Sequence, residues 1–239
     1  MNDLKVCFVI PCYNEGGRLI THKFVDYVHQ NSSVSFCFVN DGSSDETENI
    51  LIDMDKLSEN LFYINNSENQ GKAASVRNGI LSVVDDYKYV GYLDADLATP
   101  LEEIERFLYE LEGDAEVNTI FGSRVLKLGS KIERRFKRHL FGRLFATLVS
   151  GVFGIKCYDS QCGAKLFRSE SAKVAFKEAL ISNWIFDVEL LIRLRNADEL
   201  EKVSELPLKK WEDVAGSKIG FSDVIRIPLE VLRLYKNYK

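Results

Sequence analysis

The first hundred residues alternate short apolar runs with longer segments of helical period, and each apolar run ends in a cluster of polar and small residues. Lys5–Ile10, Phe36–Asn40, Leu61–Ile64 and Tyr89–Leu93 have the length and composition of buried strands. Between them, Arg18–Gln30, Asp45–Leu57 and Lys72–Asp86 predict helices. In the last, Val76, Ile80, Val83 and Val84 recur at the spacing of one buried face. This βαβαβ order predicts an α/β chain with a Rossmann-like, mostly parallel sheet flanked by helices. In open sheets of that kind ligands bind beyond the carboxyl ends of the strands. Every polar motif of this half falls at such an end.

The second half is less regular. Thr99-Pro100 opens a helix with proline in its first turn. Ser130–Val152 is a long amphipathic segment whose stripe of Phe136, Leu140, Leu144, Leu148 and Val152 suits either a core face or a membrane surface. The loop Lys156–Gly163 precedes a short strand, Ala164–Arg168. Helices near Ser169–Ala179 and Phe186–Arg195 follow, then a strand around Glu205–Trp211. Phe221–Tyr238 is helical in pattern, with Arg226, Arg233 and Lys236 among apolar residues. Such a helix docks on anionic lipid or a partner's membrane domain, or simply caps the sheet. With no repeat and no low-complexity linker, residues 1–239 read as one domain.

Bulk properties remove several classes of function. A net charge of −5 argues against general affinity for nucleic acid, although Lys127 to Arg143 sets seven bases against Glu133 alone. The five cysteines point to a reducing compartment. Cys7 and Cys37 sit inside apolar runs as small hydrophobes, and Cys157 and Cys162 lack a second pair at zinc spacing. No apolar run is long enough to predict a membrane span. The chain enters a strand directly after Met1-Asn2-Asp3-Leu4-Lys5, which leaves no room for a targeting segment. No Gly-x-Gly-x-x-Gly follows the first strand, so a dinucleotide-dependent dehydrogenase is disfavoured.

The strand ends carry the chemistry. Pro11-Cys12-Tyr13-Asn14-Glu15-Gly16-Gly17 follows the first, Asp41-Gly42-Ser43-Ser44-Asp45 the second, Asn69-Gln70-Gly71-Lys72 the third and Asp94-Ala95-Asp96 the fourth. Ser44 or Asp45 can cap the helix that follows. Two carboxylates on alternate residues at the mouth of a buried strand can hold a divalent cation through hard oxygen ligands. Such a cation can neutralise a sugar-nucleotide diphosphate while the sugar leaves. Lys72, at a helix start, can meet the diphosphate with help from the helix amides. Arg77, further along, either supports the same charge or pairs with a carboxylate. Arg134 and Arg138 lie four apart on one helical face. With Arg124 they can clamp an anion by charge-assisted hydrogen bonds, or form a solvated basic face.

These elements in this order resemble the inverting family 2 glycosyltransferases of the GT-A fold. Three later segments narrow the likeness to the polyprenyl-phosphate sugar transferases, and among them the dolichyl-phosphate β-glucosyltransferases. They are Phe121-Gly122-Ser123-Arg124, Asp159-Ser160-Gln161-Cys162-Gly163-Ala164-Lys165-Leu166-Phe167 and Trp184-Ile185-Phe186-Asp187-Val188-Glu189-Leu190-Leu191. Trp211-Glu212-Asp213-Val214-Ala215-Gly216-Ser217-Lys218 points the same way. The resemblance implies a GT-A domain with a nucleotide-sugar-binding half (1–100) and an acceptor-binding half (101–239) that ends in acceptor-side helices.

The resemblance also implies roles. Pro11, Tyr13, Asn14 and Glu15 line the nucleoside pocket, and Asp41 accepts a hydrogen bond from a uracil N–H. Gly71, Lys72 and Arg77 attend the diphosphate, over which Ser217 and Lys218 fold or simply form a turn. Asp96 binds Mg2+ or Mn2+, and Asp94 contacts ribose or sugar hydroxyls. Arg124, Arg134 and Arg138 bind the acceptor phosphate, and Asp159 and Glu189 order the acceptor side. Ala98 stands where mannosyl-transferring relatives carry glutamine, which favours glucose. Asn40 replaces the acid that many relatives carry before the Asp-Gly-Ser turn.

The implied reaction is transfer of a hexose, glucose from UDP-glucose, to a polyprenyl phosphate at the cytoplasmic face of a membrane, by a peripheral protein. A phosphate acceptor has a second pKa of about 6 and is already dianionic near neutrality, so it needs charge compensation and not a base. A sugar hydroxyl, as in capsule or cell-wall assembly, needs a carboxylate base, for which Asp159, Asp187 and Glu189 are the candidates. The same motifs also suit a transferase with GDP-mannose as donor, or a sugar-nucleotide sensor whose catalytic site has decayed.

Overall fold

The computed structural model describes residues 5–133, 136–214 and 221–239, with the backbone alone at 136–141 and 221–226. The first half forms β1 (Val6–Cys12), α1 (Thr21–Gln30), β2 (Val34–Asp41), α2 (Thr47–Asp55), β3 (Leu61–Asn66), α3 (Lys72–Val83) and β4 (Tyr89–Leu93). There follow α4 (Glu103–Gly113), β5 (Thr119–Ser123), β6 (Lys131–Glu133), α5 (Phe136–Phe153), β7 (Ala164–Arg168) and α6 (Ser169–Phe176). The chain continues through α7 (Phe186–Asn196), β8 (Val203–Pro207), β9 (Lys210–Glu212) and α8 (Phe221–Tyr238). It divides into two compact units: Met1–Leu97 with Ala164–Ala179, and Ala98–Gly163 with Leu180–Lys239.

In the first unit β3, β2, β1 and β4 lie side by side in that order and run parallel, and β7 joins β4 antiparallel. β2 is buried along its whole length and β1 nearly so, which is why both read as continuous apolar runs and not as alternating ones. The Phe24 ring of α1 meets Phe36 and Phe38 of β2 edge-on, each with centroids 5.1 Å apart. On α3, Gly79 lets the helix lie directly on β1 and β2, since a Cβ there would run into the Val9 and Val39 side chains. Cys7, Cys12 and Cys37 are buried free thiols, and burial pushes the Cys37 thiol up to about 12.

In the second unit β5 pairs with β8 and β6 with β9, both in parallel. α4 packs on β5, and α5 packs against α8. Two predicted elements are corrected here. The single strand expected around Glu205–Trp211 is two, β8 and β9, because the buried Glu103 carboxylate draws in the N–H groups of Lys209, between them, and of Lys210, at the start of β9. The segment expected to be helical from Ser130 opens instead with β6, and its helix starts at Phe136. The core face of α5 also differs from the predicted stripe: Ala146, Val149 and Phe153 are buried, whereas Leu144 and Leu148 are exposed.

Candidate active site

On the first unit, the loop after β1 is stitched to the turn after β2. Asn14 N–H donates to Ser43 Oγ at 3.0 Å, and Ser44 N–H returns a bond to Asn14 Oδ1 at 2.9 Å. Glu15 N–H donates to Thr47 Oγ1 and Gly16 N–H to Asp45 Oδ2. Asn14 takes the left-handed conformation, φ 52°, that lets one residue make both contacts. Tyr13 stands exposed on this fixed loop just beyond Pro11, whereas the Glu15 carboxylate is largely buried and engaged by Arg18 at 2.5 Å. Burial raises the Asp45 carboxyl, but hydrogen bonds from the Thr47 hydroxyl and amide and from Gly16 outweigh it and hold it below its ordinary range.

Asp41, placed by the sequence against a nucleobase, is only 3% exposed. Its carboxylate accepts from Asn66 Nδ2 at 3.1 Å and from the Gln70 and Gly71 amides at 2.9 Å each. Three of its roughly four acceptor positions are thereby occupied, and the loop leading into α3 is fixed. Gly42, with φ 63°, is required at this spot because a Cβ would strike the backbone of Glu68 and Asn69. That loop delivers Lys72, the first residue of α3, whose Nζ lies 2.5 Å from Asp94 Oδ1. Asp94 begins the turn after β4, closed by Leu97 N–H on the Asp94 carbonyl with Leu97 at φ 53°. Asp96 is half-buried within the same turn. Arg77 is not brought to this group: its guanidinium donates to the carbonyls of Phe176, Lys177 and Glu178 at the end of α6, a favourable place for a cation.

The carboxylates fit a divalent cation of a particular kind. Asp94 and Asp96 are hard oxygen donors, yet among the described residues no three His, Cys, Asp or Glu side chains are grouped to hold a metal alone. A cation bound through one or two carboxylates and completed by a nucleotide's phosphates matches that donor set.

On the second unit, Arg124 follows β5 and is gripped by Asp159, with Nε and Nη2 at 2.6 and 2.7 Å from the two carboxylate oxygens. The Arg124 amide also donates to Asp159 Oδ2. Glu205 of β8 accepts the amides of Tyr158 and Asp159 and so fixes the loop that carries the acid. The Trp211 ring lies 5.4 Å from the guanidinium. Glu189, fully buried on α7, accepts from the Ile181 and Ser182 amides, Arg193 Nη2 and the Tyr238 hydroxyl. Asp187 is also buried, with Gln161 Nε2 at 3.4 Å. Arg134, Ser217 and Lys218 lie outside the described residues, and Arg138 falls in the stretch of α5 described by its backbone alone.

Sequence reasoning did not single out Glu205 or Glu103, because an acid in a mixed strand or at a helix start looks like a surface residue until its backbone partners are known. Ser43 and Thr47 escaped for a similar reason: short hydroxyl residues in a turn give no sign of which loop they will hold.

Comparison with known proteins agrees with this arrangement. Residues 7–180 match the family described as Glycosyl transferase family 2. A dolichyl-phosphate beta-glucosyltransferase of Trichomonas vaginalis is 33% identical over 98% of this chain and 74% of its own length. That of Saccharomyces cerevisiae is 30% identical over 99% of this chain and 75% of its own. Among solved structures, glucosyl-3-phosphoglycerate synthase from Mycobacterium tuberculosis, in complex with Mn2+, uridine-diphosphate and glucosyl-3-phosphoglycerate, superposes with a TM-score of 0.73. It is 14% identical, over 98% of this chain and 79% of that one. That likeness is one of fold, the GT-A fold, whereas the family match and the two relatives extend through the sequence. The chain belongs to glycosyl transferase family 2.

Proposed function

We propose that this protein transfers glucose from UDP-glucose, with inversion, to a polyprenyl phosphate such as dolichyl phosphate. The observation that carries the reading is the state of the acids on the second unit. Asp159 is committed to Arg124, Glu189 is sealed in the core with four donors, and Asp187 is buried. A hydroxyl acceptor needs a carboxylate that can take its proton. A phosphate acceptor needs no such base but a positioned donor, and Arg124 is held in one orientation through both carboxylate oxygens of Asp159. The activity named for the Trichomonas and yeast relatives supports the same acceptor.

On the donor side, the stitched loops after β1 and β2 offer Tyr13 and Asn14 to the nucleoside. The loop held by Asp41 presents Lys72 and the amino end of α3 to the diphosphate. Asp96 would hold Mg2+ or Mn2+, which when bound would supply charge stabilisation to the departing nucleotide. Lys72 then trades its contact with Asp94 for the phosphates, which frees Asp94 for sugar or ribose hydroxyls. The transition state is oxocarbenium-like, as in glycosidic cleavage generally. We place the reaction at the cytoplasmic face of a membrane, where the lipid acceptor resides. Among the described residues no helix is long and apolar enough to cross one.

The test is direct. The protein, Mg2+ or Mn2+, labelled UDP-glucose and a short polyprenyl phosphate should yield label in the organic phase, and Asp96→Ala or EDTA should abolish it. Binding of UDP-glucose without transfer would move the acceptor to saccharide hydroxyls.

A further inference from the structure

Two guanidiniums on the second unit are held by consecutive residues of one loop. Arg124 lies against Asp159, and Arg143, on α5, lies against Tyr158. The Arg143 guanidinium stacks on the Tyr158 ring, 3.8 Å from its centroid, and donates through Nη1 to the Tyr158 carbonyl at 3.2 Å. Glu205 accepts the amides of both loop residues, so the two cations rest on a single fixed piece of backbone. An aromatic ring attends each of them, Trp211 for Arg124 and Tyr158 for Arg143.

The two differ in what becomes of their charge. Asp159 cancels that of Arg124, just as Glu103 and Glu189 cancel those of Arg106 and Arg193 on the same unit. Among the described residues no carboxylate pairs with Arg143. Stacking engages the face of its planar group and leaves the N–H edge for other acceptors, of which the Tyr158 carbonyl takes one donor. Arg143 is only half-buried and Tyr158 is 37% exposed, so a ligand can reach both. A mere brace for the loop would gain more from a carboxylate partner than from a neutral ring and a carbonyl.

A phosphate monoester is close to dianionic near neutrality. The Arg124–Asp159 pair offers it oriented donors but no net charge. We propose that Arg143, held on Tyr158, is a second binding residue for the acceptor's phosphate monoester and supplies the positive charge that the Arg124–Asp159 pair lacks. The inference rests on the reading of the acceptor as a lipid phosphate. It gives the two arginines separate tasks: Arg124 fixes direction and Arg143 balances charge. Tyr158 is then a positioning residue, which keeps the guanidinium beside the loop.

The test is calorimetric titration of the full chain with geranyl phosphate and, separately, with UDP, set beside turnover of UDP-glucose with a short polyprenyl phosphate. Arg143→Gln should weaken geranyl phosphate binding, and raise the KM for the polyprenyl phosphate, on the order of tenfold to a hundredfold. UDP binding should stay as in wild type. Arg143→Lys retains the charge and should recover most of the loss, and Tyr158→Leu should fall between the two. Each variant should melt within a few degrees of wild type, because neither side chain belongs to the core. Unchanged geranyl phosphate binding in Arg143→Gln overturns the proposal. So does an equal loss in Arg143→Lys, which would make Arg143 a brace, or a matching loss of UDP binding, which would move it to the donor. The acceptor reading fails separately. Wild-type protein that binds geranyl phosphate without glucosylating polyprenyl phosphate sinks that reading, while titration of Arg143→Gln still decides Arg143. Wild-type protein that binds no geranyl phosphate sinks both.

Discussion

The carboxylate of Asp159 grips the Arg124 guanidinium with both oxygens and takes the Arg124 backbone amide as well. Three bonds between two residues thirty-five positions apart make them one unit. Both side chains are mostly buried, so removing either leaves a charge without its partner. Arg124→Ala or Asp159→Ala should each cost about 3 kcal/mol, lowering the melting temperature by roughly 6–12 °C in a chain of this size. The double variant should cost less than the sum, with a coupling of about 1–3 kcal/mol. Strictly additive losses in a thermal-denaturation cycle would show that the pair does not act as a unit.

The Lys72–Asp94 pair should behave in the opposite way. Its side chains are 42% and 36% exposed, so the bridge contributes at most about 1 kcal/mol to stability. On the proposed function its value is to the reaction, where Lys72 would meet the departing nucleotide's charge. Lys72→Ala should leave the melting temperature within a few degrees of wild type. The same change should lower kcat/KM for UDP-glucose on the order of a hundredfold, as loss of one stabilising donor does elsewhere. A large thermal effect with normal turnover would reassign Lys72 to the fold.

Glu189 separates the phosphate acceptor from the hydroxyl acceptor. It accepts four donors from the Ile181–Ser182 turn, from Arg193 and from Tyr238 of α8. Glu189→Gln turns an acceptor into a group that must also donate, against two amides and a guanidinium that only donate and a Tyr238 hydroxyl that already accepts from Arg193 Nε, and it takes the carboxylate away from the buried Arg193. We expect a loss of about 3 kcal/mol, with the pH dependence of turnover unchanged in the surviving protein. Tyr238→Phe should reproduce a smaller part of the loss by loosening α8. If Glu189→Gln instead keeps its stability and loses turnover together with one limb of the pH profile, Glu189 is a base and the acceptor a hydroxyl.

The order of elements was legible in the sequence because parallel strands buried on both faces leave unbroken apolar runs. The polar ends of those runs were visible for the same reason. What the sequence concealed is where each polar side chain spends its bonds. Asp41 at an Asp-Gly turn looks poised for a ligand, but its geometry turns it to the Gly71 loop. Arg77 shares a helix with Lys72 yet serves the end of α6. The Leu144–Leu148 stripe shows the same limit, since periodicity identifies an apolar face without saying whether protein covers it.

Asp45 gives a pH test of the stitched loops. Its carboxyl lies below the ordinary value of 3.8 because hydrogen bonds from Thr47 and Gly16 to the charged form outweigh the effect of burial. A group with a lowered folded-state pKa adds stability that is fully present above the unfolded value. That stability disappears as pH falls through the lower, folded value. Asp45→Asn keeps one carbonyl acceptor but lacks the charge, so it should be less stable than wild type from about pH 5 to 7. Below about pH 4 the gap should shrink, and it should close only once pH has fallen through the lower, folded value, where the wild-type carboxyl is neutral too. Urea denaturation across that range reads the difference. A gap that stays constant down to about pH 2 would show that Asp45 holds the loops by shape alone, without a contribution from its charge.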